Sequence, residues 1–201
     1  TVTGYRGTIA FTSSDPGSPT LPANYTFTAG DNGTHTFTNA AALKTALSQT
    51  VVATDTATPT IVGSASVTVN PAAASKLAVT QQTTGGNGGV AWTTQPKVTV
   101  QDPFGNTITS SVASVTLAIT AGSGTSGAVL TCTANPKAAT AGVVLFAGCK
   151  INKSGTGYTL TATATGLTSA VSAAFDIVPD VPTKVVYTQA PTAAVAGSII
   201  T

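Results

Sequence analysis

Apolar and polar positions alternate with a period of two over short stretches along the whole chain, and turn-forming residues separate the stretches. In the first third this pattern predicts strands at residues 5–12, 25–28, 34–38, 50–55 and 65–70. Further on it predicts strands at 77–81, 97–101, 115–120, 130–133, 143–147, 158–165 and 173–178. The turns between them have a mechanism. Ser13-Ser14-Asp15-Pro16-Gly17 and Asp31-Asn32-Gly33 combine residues that tolerate positive φ with a proline that fixes its own. No segment has a convincing helical period; residues 39–48, rich in Ala and carrying Leu43 and Leu47, predict a single helical turn. Gly85-Gly86-Asn87-Gly88-Gly89 reads as a flexible turn, since it lacks the Lys-Ser/Thr and the helix of a phosphate loop.

The pattern repeats. Ser75-Lys76-Leu77-Ala78-Val79-Thr80-Gln81 matches Thr183-Lys184-Val185-Val186-Tyr187-Thr188-Gln189 at an offset of 108. Ala65-Ser66-Val67-Thr68-Val69-Asn70-Pro71 matches the chain from Ala173 to Pro179 at the same offset. At an offset of 106, Ile9 and Phe11 fall on Val115 and Leu117. The organisation that follows is an incomplete domain at 1–71 that lacks its first strands, a complete domain at 74–179, and the opening strands of a third at 182–201. The fold class is all-β, with tandem sandwich domains of which the first and last are incomplete. A strand around Val185 and Tyr187 has an apolar face that it cannot bury alone. Docked on residues 5–70 of another copy, it would assemble the chain head to tail.

Composition agrees with an all-β reading. About a fifth of the residues are Thr, and Thr and Val suit pleated surfaces. Only 7% of residues are charged and every acid is Asp, against about 25% charged in an average protein. The net charge of +2 is spread over scattered lysines, which gives no footprint for nucleic acid. No apolar run approaches the roughly 20 residues of a membrane-spanning helix, so membrane insertion is not expected.

Some residues resemble a known family. Val98-Thr99-Val100-Gln101-Asp102-Pro103-Phe104-Gly105-Asn106 resembles the V-x-V-x-D-x-x-G-N turn of bacterial immunoglobulin-like domains of the invasin and intimin type. The stretch from Tyr5 to Asp15, with Tyr25-Thr26-Phe27-Thr28 and the segment from Asp31 to Phe37, is similar to repeats of large secreted or surface-anchored bacterial proteins. Tyr158 sits at a tyrosine-corner-like place. The resemblance implies tandem immunoglobulin-like sandwiches and an extracellular or cell-surface location. It implies a stalk or filament role, with other copies or neighbouring repeats as partners. The alternative it implies is an adhesin or carbohydrate-binding accessory module with a cell-surface or glycan ligand.

Candidate chemistry is sparse. Cys132 and Cys149 lie symmetrically about residues 140–141 in a turn-rich segment, so a disulfide and an oxidising compartment are expected, with two buried thiols as the alternative. His35 is the single histidine; Ser13, His35 and Asp15 could be composed into a triad, but no nucleophile elbow accompanies them. The six Asp give no tuned pair for glycoside hydrolysis. Asp31, Asn32, Gly33, Asp102, Gly105 and Asn106 are read as turn-shaping residues without a metal. Trp92 is read as core or junction packing, with a carbohydrate platform as the alternative. No catalytic residue, cofactor or metal site is expected.

Overall fold

Short runs of β-branched residues broken by Gly, Pro and Asp cannot sustain helices, and they fold as strands. The computed structural model describes residues 1–188 and 196–197. The strands, in chain order, are β1 (Thr8–Ser13), β2 (Tyr25–Thr26), β3 (Leu47–Asp55), β4 (Val62–Val69), β5 (Lys76–Gln81), β6 (Gly86–Asn87), β7 (Lys97–Gln101) and β8 (Ser114–Ile119). Then come β9 (Leu130–Thr131), β10 (Lys137–Ala138), β11 (Val143–Leu145), β12 (Lys150–Ile151), β13 (Gly155–Tyr158), β14 (Leu160–Thr163), β15 (Ala170–Val171) and β16 (Phe175–Val178). The one helical element among the described residues is a 3-10 turn at Ala29–Asp31. The fold is all-β.

From β5 onward the strands form a sandwich-like arrangement around one core. One layer has the order β11-β7-β5; the other contains β10-β8-β14-β15 and β13-β16-β6, with β6 parallel to β16. Alternation does the sorting. Val115 and Leu117 of β8, Leu160 and Ala162 of β14, and Phe175 and Ile177 of β16 face Leu77, Val98, Val100 and Val144 of the opposite layer. All are buried, while their strand neighbours Thr116, Thr163 and Asp176 are exposed. The Tyr158 hydroxyl donates to the Lys153 carbonyl at 3.0 Å, so the buried ring keeps its polar tip satisfied.

The first 70 residues make a single four-stranded sheet of order β2-β1-β3-β4, the same order as β10-β8-β14-β15. The registers repeat too. Leu47 pairs with Val69 as Gly155 pairs with Ile177, and Gln49 pairs with Val67 as Tyr158 pairs with Phe175. An irregularity between Gly155 and Tyr158 adds one residue to that strand. Phe11 faces Ala53 as Leu117 faces Ala162; hence Gln49, Val51 and Ala53 stand where Tyr158, Leu160 and Ala162 stand.

Four expectations need correction. Residues 34–38 form no strand. Their counterpart by the 108 offset is β11, which is a strand because it pairs with β7; the first sheet has no such neighbour among the described residues. Residues 39–48 form no helical turn, because the Asp15 carboxylate takes the Lys44 and Thr45 amides and β3 begins at Leu47. The 85–89 segment is not a free turn, because Gly86 and Asn87 pair with Ile177 and Val178. A Cβ on Gly85 would lie 2.0 Å from the Asp176 carbonyl oxygen, so glycine permits this close approach. Finally, residues 183–188 form no strand: Val185 and Tyr187 are 101% and 83% exposed, with no partner strand beside them among the described residues. The rest of the expected third opening, at 189–195 and 198–201, lies outside the described residues.

Candidate functional site

The first sheet has an apolar face with little over it. Ile9, Phe11, Val51, Ala53, Val67 and Val69 share that face by register. Their counterparts Val115, Leu117, Leu160, Ala162, Phe175 and Ile177 are each no more than 6% exposed, because β5, β7 and β11 lie over them. Val67 is 43% exposed. Part of the face is covered by the segment after β2. Phe37 packs edge-on against Phe11 at 4.8 Å, and His35 stacks on Tyr25 at 3.8 Å. Beside this cluster a hollow of about 480 Å³ is lined by Val2, Tyr5, Ile9, Phe27, Ala53 and Ile61.

The Asp102–Asn106 turn stands at the junction with the first sheet. Gly105 takes φ 94°, a conformation that glycine adopts at no steric cost. Asp102 is fully buried. One carboxylate oxygen accepts from the Phe104 and Asn106 amides at 2.9 Å each; the other accepts from Ala72 at 3.0 Å and from the Asn106 side chain at 2.7 Å. Burial alone would raise its pKa, but the hydrogen bonds from Asn106, Ala72 and Phe104 outweigh it and hold the group below the usual carboxylate range. The Asn106 side chain also reaches 62 residues back: its Nδ2 donates to the Lys44 carbonyl at 2.7 Å, and its Oδ1 accepts from the Ala46 amide at 2.8 Å. Sequence reasoning saw the turn and missed this second reach.

The other acids act on local backbone. Asp31 accepts from the Thr28 amide at 2.6 Å, the Tyr25 hydroxyl at 2.8 Å and His35 Nδ1 at 3.0 Å. Bonds to the Thr28 backbone and side chain come first among the causes that depress its pKa. Asn32 and Gly33 follow at φ 50° and 78°, completing that turn. Asp15 is buried; burial raises its pKa, and bonds from Thr45, Lys44 and Gly17 more than reverse that. Asp55 takes the Tyr5 hydroxyl and the Ala57 and Thr58 amides. The composed triad does not assemble: His35 pairs with Asp31, while Asp15 takes the backbone amides of Gly17, Lys44 and Thr45.

Cys132 and Cys149 form a disulfide. The β9–β12 register, Thr131 against Lys150, sets them opposite each other. Trp92 is 4% exposed and packs edge-on against Phe175 at 5.3 Å, so it is a core residue. Gly124, at φ 64°, lies so near the Tyr158 ring that an added Cβ would sit 2.2 Å from it. Among the described residues no cluster of His, Cys, Asp or Glu has the makings of a metal site. No helix of the described residues is long and apolar enough to cross a membrane.

No protein-family model matches the chain, and no curated protein matches it. Among solved structures it is similar to a glycosyl hydrolase family 2 member from Bacteroides cellulosilyticus, at 14% identity and a TM-score of 0.44. That likeness covers 87% of this chain and 23% of the hydrolase. It is also similar to a β-glucuronidase from Parabacteroides merdae, at 12% identity and a TM-score of 0.38, covering 87% of this chain and 21% of the enzyme. The chain thus spans less than a quarter of either protein. At these scores the likeness carries no argument about family or activity.

Proposed function

We propose that the chain is a non-catalytic structural segment of an extracellular protein, built from tandem immunoglobulin-like units and joined to like units in a stalk or filament. Three features support the immunoglobulin-like reading. The second unit has two facing layers, a short strand parallel to the last one, and a buried tyrosine whose hydroxyl bonds a carbonyl just upstream. The disulfide suits an oxidising compartment.

One observation carries the structural role: the first sheet repeats the order and register of the second unit's outer layer, yet its apolar face is only partly covered. In the second unit β5 helps cover the equivalent face. Residues 183–188 match β5, and their apolar side chains are exposed. The reading is that this segment of one copy covers the first sheet of the next. Such a contact does not close on itself, so it propagates. An adhesive or sugar-binding role has less support, because Tyr25, Phe27 and Phe37 pack edge-on against one another rather than forming a flat row.

Sedimentation velocity over a wide concentration range tests this. The wild-type chain should form a ladder of oligomers, and Val185→Asp with Tyr187→Asp should leave monomers. A monodisperse wild-type monomer at high micromolar concentration refutes trans assembly.

A further inference from the structure

We propose that the 102–106 turn is a docking element that reads the main chain of a neighbouring unit, and that the loop at 152–154 is the equivalent seat for a second such turn. The contacts of this turn divide in two. The bonds from Asp102 to the Phe104 and Asn106 amides close the turn itself. The bonds of Asn106 with Lys44 and Ala46 do nothing for the turn and tie it to the preceding unit, and the bond of Asp102 with the Ala72 amide ties it to the link between the units.

The Asn106 carboxamide has one acceptor oxygen and two N–H donors. Its oxygen meets the Ala46 N–H; its donors meet the Lys44 carbonyl and Asp102. Every partner has fixed polarity, so turning the amide over would set donor against donor and acceptor against acceptor. The side chain thus reads a C=O and an N–H spaced two residues apart, as a paired strand would. The seat is preorganised for it. Asp15 holds the Lys44 and Thr45 amides, and the Gln49 side chain donates to the Thr45 carbonyl at 3.2 Å.

The same seat recurs at the far end of the second unit. The 108 offset that relates Leu47 to Gly155 relates Lys44 to Asn152, Thr45 to Lys153 and Ala46 to Ser154. The supports correspond as well. Gln49 and Tyr158 occupy matching inward positions, and each donates to the carbonyl of the loop's middle residue, Thr45 or Lys153. Thr125 holds the Ser154 carbonyl at 2.7 Å, and Asn152 uses its side chain on the Val129 amide at 2.8 Å. That leaves the Asn152 carbonyl and the Ser154 amide, the counterparts of the pair Asn106 grips, with no hydrogen-bond partner among the described residues. The residue beside them is Gly88, where even a Cβ would make only ordinary contact with the two atoms, at 3.6 and 3.7 Å. The partner that fits is another Asp-x-x-Gly-Asn turn on a like unit. This does not depend on the trans assembly proposed above: a turn on a following unit of the same polypeptide would fill the seat equally well.

Amide hydrogen exchange by NMR on the intact chain reads the docking directly. The Ala46 amide should be protected in the wild type. In Asn106→Ala it should exchange at least tenfold faster, while Val100, bonded to Gly142 within the second unit, keeps its protection. Residual dipolar couplings should fit one alignment tensor for both units in the wild type and two in the variant. An unprotected wild-type Ala46, or separate tensors in the wild type, overturns the docking role whether or not the variant folds. For the seat, the chain through residue 181 is extended by a second copy of residues 74–180. The Ser154 amide should then slow at least tenfold, and return to its original rate when the Asn of the appended turn is changed to Ala. A folded appended unit that leaves Ser154 exchange unchanged overturns the seat.

Discussion

Truncation of Leu160 to alanine separates the two sheets by what lies over them. Leu160 is 1% exposed. Its amide is held by the Ser172 hydroxyl at 2.9 Å and its carbonyl by the Ser172 amide at 2.8 Å, so the backbone cannot move in to fill the space. A buried Leu→Ala change costs about 2–5 kcal/mol, with larger values where the site cannot collapse. About 3 kcal/mol is expected here on that basis, or roughly 15 °C in Tm for a unit of this size. Urea unfolding followed by tryptophan emission is the assay, because Trp92 is the sole tryptophan and lies in the same core. Val51 is the register counterpart in the first sheet and is only half-buried. Val51→Ala should cost about 1 kcal/mol or less, since little of the lost surface was out of water; exchange of the Val52 amide measures it. A Leu160→Ala loss below about 1 kcal/mol would refute the core assignment. A Val51→Ala loss as large as that of Leu160→Ala would refute the partly uncovered first sheet.

Reducing the Cys132–Cys149 disulfide, 17 residues apart, should lower the stability of the second unit by about 3 kcal/mol in the chain-entropy account, seen as a lower urea midpoint of Trp92 emission with dithiothreitol. Gly124→Ala should destabilise that unit by about 2 kcal/mol or more, because a Cβ at φ 64° would strike the buried Tyr158 ring; an unchanged midpoint would refute the contact. Asp15 and Asp102 both have folded-state pKa values below their unfolded ones. Their contribution to stability is therefore full above an unfolded value of about 4 and is lost as pH falls through that value toward the folded one. Urea midpoints should be flat from neutral pH down to about 5 and drop below about 4, and the drop should be shallower in Asp102→Asn.

The second unit was legible because its strands alternate cleanly and each finds its partner within the described chain. Val115/Leu117 and Phe175/Ile177 announce their inward faces by period alone. The repeat was legible for the same reason, since an offset that preserves the pattern also preserves the ladder. Residues 34–38 carry a strand pattern, but a strand needs a neighbour as well as a pattern, and the β7 counterpart is not beside them. The Ala-rich 39–48 stretch lost its helical turn to the Asp15 carboxylate, about 30 residues away, which no local propensity registers. Asn106 is the same kind of failure. Its turn role follows from a five-residue motif, whereas its grip on Lys44 and Ala46 exists only once two units are folded side by side.

The two sheets share a register but place their bulk differently, and this bears on what would fit over the first. In the second unit the outer layer supplies Tyr158 and Phe175, Phe146 after β11 and Trp92 add to the same core, and the covering β5 contributes the smaller Leu77 and Val79. In the first sheet the positions of Tyr158 and Phe175 hold Gln49 and Val67, and the aromatic volume arrives from outside as Phe27 and Phe37 on the crossing segment. Close packing requires that total volume be conserved across such an interface. The segment that matches β5 has Tyr187 in the place of Val79. On the assembly proposed above, Tyr187 is the largest apolar side chain of the covering segment, so Tyr187→Val, which gives it the β5 residue, should weaken association in sedimentation velocity where Lys184→Ala leaves it unchanged.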